Sequence, residues 1–93
     1  MPITDTASFL QAVLNGQLAK AEAWLNQQKA SPAKPGYDQR WVDHRERELF
    51  RAYYSRADWP SAKRIVEGSV LPSSKEGRRE RLQNLSGLKY EDI

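Results

Sequence analysis

The amino-acid sequence predicts an all-α protein of about five helices, on three observations. Apolar residues recur at intervals of three and four along most of the chain, which is the period of an amphipathic helix. No segment shows the alternation of β-branched and polar residues, bounded by hairpin turns, that is typical of strands. A faint internal repeat relates residues 16–25 to residues 57–66: each copy has a short turn, a bulky apolar residue, an Ala three positions on and an aliphatic residue four positions further. Each copy follows its own apolar segment, which indicates two tandem antiparallel helical hairpins and a closing helix.

The first hairpin is predicted over residues 6–28. Its first helix is expected to begin at Asp5 or Thr6, because a short polar side chain can accept a free N–H of the opening turn, and to end at Gly16. The apolar stripe of this helix consists of Phe9, Leu10, Val13 and Leu14. The inward positions of the second helix are Leu18, Ala21 and Leu25. Because the turn between them is so short, the two helices are expected to pack antiparallel.

Residues 29–40 are predicted to form a connecting loop. The segment contains Pro32, Pro35 and Gly36 and few apolar residues, and it is long for a connection in a compact helical domain. Two interpretations follow, a solvated linker or a binding loop in which Tyr37 is the one sizeable anchor.

The second hairpin is predicted over residues 41–72. The apolar arc of its first helix consists of Val42, Leu49, Phe50 and Tyr53. Glu46 falls on this apolar side, so its head group is expected either to reach solvent or to pair with an Arg of a neighbouring helix. Asp58 is expected to cap the next helix and Pro72 to stop it. The inner face of that helix consists of Ala62, Ile65, Val66 and Ser69.

A capping helix is predicted over residues 73–87, because Ser73 and Glu76 have the spacing of a capping box. Residues 88–93 form a tail that either docks on the helices or frays. The whole chain, residues 1–93, is of a size that makes one helical domain.

The composition narrows the class of protein. The chain has no Cys, which excludes disulfides, thiol catalysis and cysteine-ligated zinc. No apolar run reaches about 18 residues and no secretory signal pattern is present, so a cytoplasmic protein without a membrane partner is expected. The net charge is +3, and fourteen of the fifteen Lys and Arg residues lie in residues 29–93. An electrostatic partner is therefore expected to meet this second part of the chain.

The two hairpins resemble tetratricopeptide-like helical repeats over residues 6–72. The residues that carry the resemblance are Leu49, Tyr53, Ala57, Trp59, Ala62, Val66 and Pro72 in the second hairpin, and Gly16, Leu18, Ala21 and Leu25 in the first. The chain departs from that family in three respects. Ala21 and Ala62 are 41 residues apart against a family repeat of about 34, Glu46 replaces a usual aromatic, and two hairpins are fewer than such stacks normally contain. A closed five-helix bundle is the alternative.

The leading candidate site is a row of basic residues on the third helix. Arg40, His44, Arg47 and Arg51 follow one another at spacings of four, three and four, which places them on one helical face, with Tyr54 beside them. The resemblance implies that His44, Arg47, Arg51 and Tyr54 line a concave groove, and an Arg guanidinium binds a carboxylate through two parallel hydrogen bonds. The expected function is a non-enzymatic protein-interaction module, of adaptor, chaperone-like or regulatory kind, for an acidic peptide or a partner subunit. The alternative is that the row is simply the solvated side of the helix.

Two other functions remain open at this point. A second basic cluster, which would contact nucleic-acid phosphates, consists of Arg78, Arg79 and Arg81 with Lys63 and Arg64. Self-association as a homodimer would use either Phe9, Leu10 and Leu14 or Leu82 and Leu85. One His, no Cys and no Gly-rich phosphate loop predict no catalytic residues, no metal site and no cofactor.

Overall fold

The computed structural model describes residues 2–93, which form five α-helices and a short 3₁₀ turn without any strand. The helices are α1 (Thr6–Leu14), α2 (Leu18–Ala30), α3 (Gln39–Ser55), α4 (Trp59–Glu67) and α5 (Pro72–Ser86), and the 3₁₀ turn is Tyr90–Asp92. The predicted all-α class with about five helices is confirmed. None of the helices in this range is long and apolar enough to cross a membrane.

The helices form an open stack in which each helix packs on the next one in sequence. The central helix α3 also contacts α1 and α5, whereas no backbone contact joins α1 to α5 or α2 to α4. The stack measures 37 × 27 × 15 Å, so it is a slab about one and a half helices thick.

The core lies along the inner face of α3, as the helical periodicity predicts. The largest fully buried apolar side chains are Phe9, Leu25, Leu49, Phe50, Val66 and Leu82. The prediction for α1 is wrong in part, because Phe9 and Ala12 are buried while Leu14 is 80% exposed. Leu14 lies about 140° around the helix from Phe9 at 100° per residue, and a helix at the end of the stack is covered on one side only.

The internal repeat is visible in the two hairpin turns. Gly16 and Ala57, which are equivalent in the two copies, have φ values of +78° and +55°. In both turns the next N–H reaches back five residues, from Gln17 to the Ala12 carbonyl at 2.9 Å and from Asp58 to the Tyr53 carbonyl at 3.1 Å. This left-handed ending closes helices because it satisfies their last carbonyls.

The loop between the hairpins covers residues 31–38 and is shorter than predicted, since α2 continues through Ala30 and Asp38 caps α3. Its Tyr37 is buried and stacks on Trp41, with ring centroids 3.8 Å apart and an interplanar angle of 8°. Trp24 contacts both rings edge-on. Tyr37 therefore holds the loop against the helices, and its ring is not available to a partner.

The start of α5 differs from the prediction, and the tail adopts one of its two predicted arrangements. The capping box predicted at Ser73 is absent, because Pro72 is itself the first helical residue of α5 and no side chain caps that end. Proline suits this position, where its missing N–H would have no partner. The tail docks: Tyr90 is buried, and the Lys63 ammonium donates to the carbonyls of Tyr90 and Ile93 at 2.9 and 3.1 Å.

Candidate functional site

A cleft of about 360 Å³ lies between α3 and α5 and is called the α3–α5 cleft below. Its lining residues are Arg47, Phe50, Arg51 and Tyr54 from α3 and Ser74, Gly77, Arg78 and Arg81 from α5. Half of these residues are arginines and none is acidic. The cleft is therefore a concentrated positive site on a chain whose net charge is only +3.

The α3 wall is built from one face of that helix. Arg47 and Arg51 lie one turn apart and are exposed, and Tyr54 follows three residues later. Phe50 is 2% exposed and closes the floor of the cleft, where it contacts the Tyr54 ring edge-on at 5.1 Å between centroids. The basic side chains thus stand at the rim, and aromatic rings form the base.

The α5 wall brings one further exposed guanidinium across the cleft. The Nη2 of Arg81 lies 3.5 Å from the Tyr54 hydroxyl oxygen, and its guanidinium carbon lies 5.6 Å from the centre of the Tyr54 ring. Gly77 lies one turn earlier, and a Cβ at that position would meet no atom within 4 Å. The absence of a side chain there keeps this part of the cleft open.

Arg78 has a different role from its neighbours. It is 8% exposed, and its Nη2 donates to the Asp43 carboxylate at 3.0 Å and the Asp43 carbonyl at 2.9 Å. Its Nη1 lies 3.5 Å from Glu46 Oε1 and donates to the Ser69 hydroxyl at 3.0 Å. The prediction that Arg78 is part of an exposed phosphate-binding cluster is therefore wrong, because two carboxylates already neutralise it inside the protein.

Glu46 explains why this buried charge is tolerated. The side chain is almost fully buried and accepts hydrogen bonds from the Lys29 ammonium at 2.9 Å and the Val70 N–H at 3.2 Å, besides its ion pair with Arg78. Of the two interpretations given for Glu46, pairing with an Arg of a neighbouring helix is confirmed. Asp43, Glu46, Lys29 and Arg78 are called the buried ion network below.

The three remaining guanidiniums of the cleft have no carboxylate partner among residues 2–93. Arg47, Arg51 and Arg81 together carry a formal charge of +3 at the rim. Burial raises the pKa of the Tyr54 hydroxyl, but the hydrogen bonds and positive charges of Arg81 and Arg51 outweigh it, so the net pKa lies below its usual value.

The structure separates the other predicted site residues from this cleft. Arg40 and His44 are exposed on α3 but do not line it. Arg79 stands over the Tyr90 ring at 4.8 Å, and Lys63 binds the tail carbonyls. Arg64 donates twice to the Glu22 carboxylate, at 2.7 and 3.0 Å.

The two other predicted surfaces, for nucleic acid and for self-association, differ from what the structure shows. The five basic residues proposed for nucleic acid do not form one surface, since Arg78 is buried, Arg81 joins the α3–α5 cleft and Lys63 and Arg64 are engaged on α4. For self-association, Phe9 and Leu82 are core residues with 0% exposure. Leu10, Leu14 and Leu85 remain as exposed apolar side chains.

Ser74, Gly77 and the crossing of Arg81 to Tyr54 were not predicted from the sequence. They depend on α5 packing beside α3, which no spacing within either helix encodes. Within the part of the chain that the structure describes, no three His, Asp or Glu side chains come together in a way that could hold a metal ion.

No protein-family model, no curated protein and no solved structure matches this chain. What the protein does is therefore inferred from its own residues.

Proposed function

We propose that this protein is a non-enzymatic protein-interaction module that binds an acidic peptide segment of a partner in the α3–α5 cleft. The observation that supports this proposal is the presence of three guanidiniums, from two helices, that line one cleft without a carboxylate partner in the part of the chain that the structure describes. Like charges one turn apart on a helix repel each other. An anionic ligand offsets that repulsion and gains charge-assisted hydrogen bonds, which are the strong ones.

The dimensions of the cleft suit a short segment. About 360 Å³ is near the lower end of the usual range for ligand pockets, roughly 300–1,000 Å³, so it accommodates one or a few side chains rather than a folded element. Phe50 and Tyr54 offer an apolar base for the stem of an acidic residue. The resemblance to tetratricopeptide-like repeats supports the same face, because α3 is the first helix of the second hairpin.

The test is binding of the purified protein to an array of immobilised random peptides. The wild-type protein is expected to retain peptides rich in Asp and Glu, and the Arg47→Glu/Arg51→Glu variant is expected to lose them. The matched control is Arg40→Glu/Lys89→Glu, which makes the same change of charge at two exposed positions that do not line the cleft. Retention without any bias toward acidic residues, or equal loss in both double variants, would contradict the proposal.

Gly77→Glu is a second blocking variant that leaves the fold intact. The added side chain meets no atom at Cβ and places a carboxylate among the cleft arginines. Replacing a helical Gly also stabilises the helix by about 0.5–1 kcal/mol. We expect this variant to melt at a higher temperature than the wild type and to lose the acidic peptides, which separates loss of binding from loss of folding. Retained binding would place the peptide site elsewhere.

A further inference from the structure

We propose that the acidic group recognised in the α3–α5 cleft is a phosphorylated side chain of the peptide rather than a carboxylate. This inference rests on the proposed function, since it names the chemistry of the ligand that the same site takes. It depends on the number of unpaired guanidiniums, on where they converge and on the room left beside them.

The number of charges favours a doubly charged ligand. Arg47, Arg51 and Arg81 are unpaired, whereas a carboxylate carries one negative charge and accepts one guanidinium in bidentate fashion. A phosphate monoester carries about −1.5 to −2 charges at pH 7 and presents three strong acceptor oxygens. Three acceptor oxygens match three guanidiniums, and a single carboxylate would leave two of them uncompensated.

Two guanidiniums, one from each wall, lie beside Tyr54. Arg81 on α5 has its Nη2 3.5 Å from the Tyr54 hydroxyl oxygen, and Arg51 lies three residues before Tyr54 on the same face of α3, where its charge contributes to the lowered pKa of that hydroxyl. An oxygen-rich group placed beside Tyr54 can therefore be met by donors from both helices at once. The Tyr54 hydroxyl is itself a further donor to such a group.

The α5 wall leaves room for a tetrahedral group. Gly77 has no side chain and open space where one would project, and Ser74, one turn before Arg78, adds a neutral hydroxyl to the lining. Arg78 also lines the cleft, but its charge is neutralised by Asp43 and Glu46. It is therefore not counted among the groups that bind the ligand. The cleft thus combines three free cations with small and neutral groups.

The experiment compares peptide libraries that differ only at the centre, bound to the full-length protein at one fixed ionic strength. The central position of the four libraries is occupied by phosphoserine, by one Glu, by two adjacent Glu residues or by Ser. The library with two Glu residues matches the charge of the phosphate, so it separates geometry from charge. We expect the phosphoserine library to bind at least about tenfold more tightly than either Glu library. The reason is that the three oxygens of one phosphate can accept hydrogen bonds from all three guanidiniums.

The outcomes separate this inference from the proposed function. Equal binding of the phosphoserine and the double-Glu libraries overturns the phosphate assignment and leaves an acidic-peptide module. Binding of neither overturns both. Equal binding of all four, Ser included, also overturns both, because the site would then ignore the charge.

Charge-preserving variants test the geometry directly. Arg51→Lys and Arg81→Lys keep the positive charge but lose the planar fork that grips two oxygens. We expect them to lose most of the preference for phosphoserine over the double-Glu library, with Arg40→Lys as a matched control that keeps it. A preference that survives in Arg51→Lys/Arg81→Lys would show that these two guanidiniums do not hold the phosphate. Unchanged thermal melting of the variants is the check that folding is not the cause.

Discussion

Two groups of arginines in this protein differ in what surrounds them. Arg78 and Arg64 are each bound by carboxylates, whereas Arg47, Arg51 and Arg81 have no carboxylate partner among the described residues 2–93. Exposure does not separate the two groups, because the side chain of Arg64 is 56% exposed and is still held by Glu22. We propose that in this comparison the paired arginines stabilise the fold and the three unpaired ones of the cleft bind the ligand.

The contrast is sharpest on α5, where Arg78 and Arg81 are three residues apart. The first points toward Asp43 and Glu46 inside the stack, and the second points across the cleft to Tyr54. We therefore expect substitutions in the paired group to change stability and those in the unpaired group to change binding.

The largest effect is expected from Glu46→Leu. This change removes the buried partner of Lys29 and Arg78, and loss of one member of a buried ion pair costs about 3–5 kcal/mol. The measurement is the free energy of unfolding from urea titration. The control Glu46→Leu/Arg78→Met removes one charge of each sign and leaves Lys29 and Asp43, whose side chains are partly exposed, so it is expected to recover part of the loss. A cost below about 1 kcal/mol for Glu46→Leu would contradict a structural role for the network.

A smaller effect is expected from Glu22→Gln, about 1–2 kcal/mol at neutral pH, because the partner Arg64 is largely in solvent. Burial raises the pKa of Glu22, but the hydrogen bonds from Arg64 and Tyr53 and the charges of Arg64 and Lys29 bring it below its ordinary 4.5. A depressed folded-state pKa contributes stability above the unfolded value, and that contribution is lost as the pH falls. The difference between wild type and variant is thus expected to be full at pH 7 and to shrink below about pH 4.5. A difference that does not depend on pH would exclude the ionised form of Glu22 as its source.

Tyr53→Phe tests the other end of the same interaction. The Tyr53 hydroxyl donates to Glu22 at 2.7 Å, and its burial and this hydrogen bond raise its pKa from 10.0 to about 12. A raised folded-state pKa contributes stability below pH 10, and this is lost as the pH rises toward 12. We expect the variant to cost about 1 kcal/mol at neutral pH and to weaken the fall in stability between pH 10 and 12. Thermal melting of both proteins across that range is the measurement.

The smallest effect on stability is expected in the cleft. Arg47→Glu replaces a repulsive spacing with Arg51 by an attractive one, and an attractive spacing with Asp43 by a repulsive one, each worth about 0.2–0.5 kcal/mol. We expect almost unchanged stability together with loss of the peptide ligand. Arg64→Glu, the same substitution in the paired group, is expected to destabilise the protein. If Arg47→Glu destabilised it as much as Arg64→Glu, the distinction between the two groups would fail.

The sequence predicted the parts of this structure that depend on position within one helix. The period of α3 placed Leu49, Phe50 and Tyr53 inward, and it placed Arg47 and Arg51 together on the opposite side. Features that depend on how helices pack against each other could not be predicted in this way. The predicted apolar stripe of α1 included Leu14, which is exposed, because the sequence does not show how many neighbours a terminal helix has.

The same limit applies to the candidate site. The odd position of Glu46 on an apolar face limited it to two arrangements, a head group in solvent or an ion pair, and the structure shows the ion pair. Sequence alone could not tell that its arginine partner is Arg78 rather than Arg79 or Arg81, because all three have the same side chain and lie within one turn. That choice is made by the packing of α5 against α3 and α4.

The order in which the helices stack has a consequence for how the chain folds. Each helix packs chiefly on its neighbours in sequence, so most native contacts join residues that are close along the chain. Helical proteins with contacts of such short range fold within microseconds to milliseconds, because few long loops must close first. The longest connection between helices is the segment 31–38, where Tyr37 packs against Trp24 of the first hairpin and Trp41 of the second. In a Trp59→Phe variant, tryptophan fluorescence is therefore expected to report the step in which the two hairpins join.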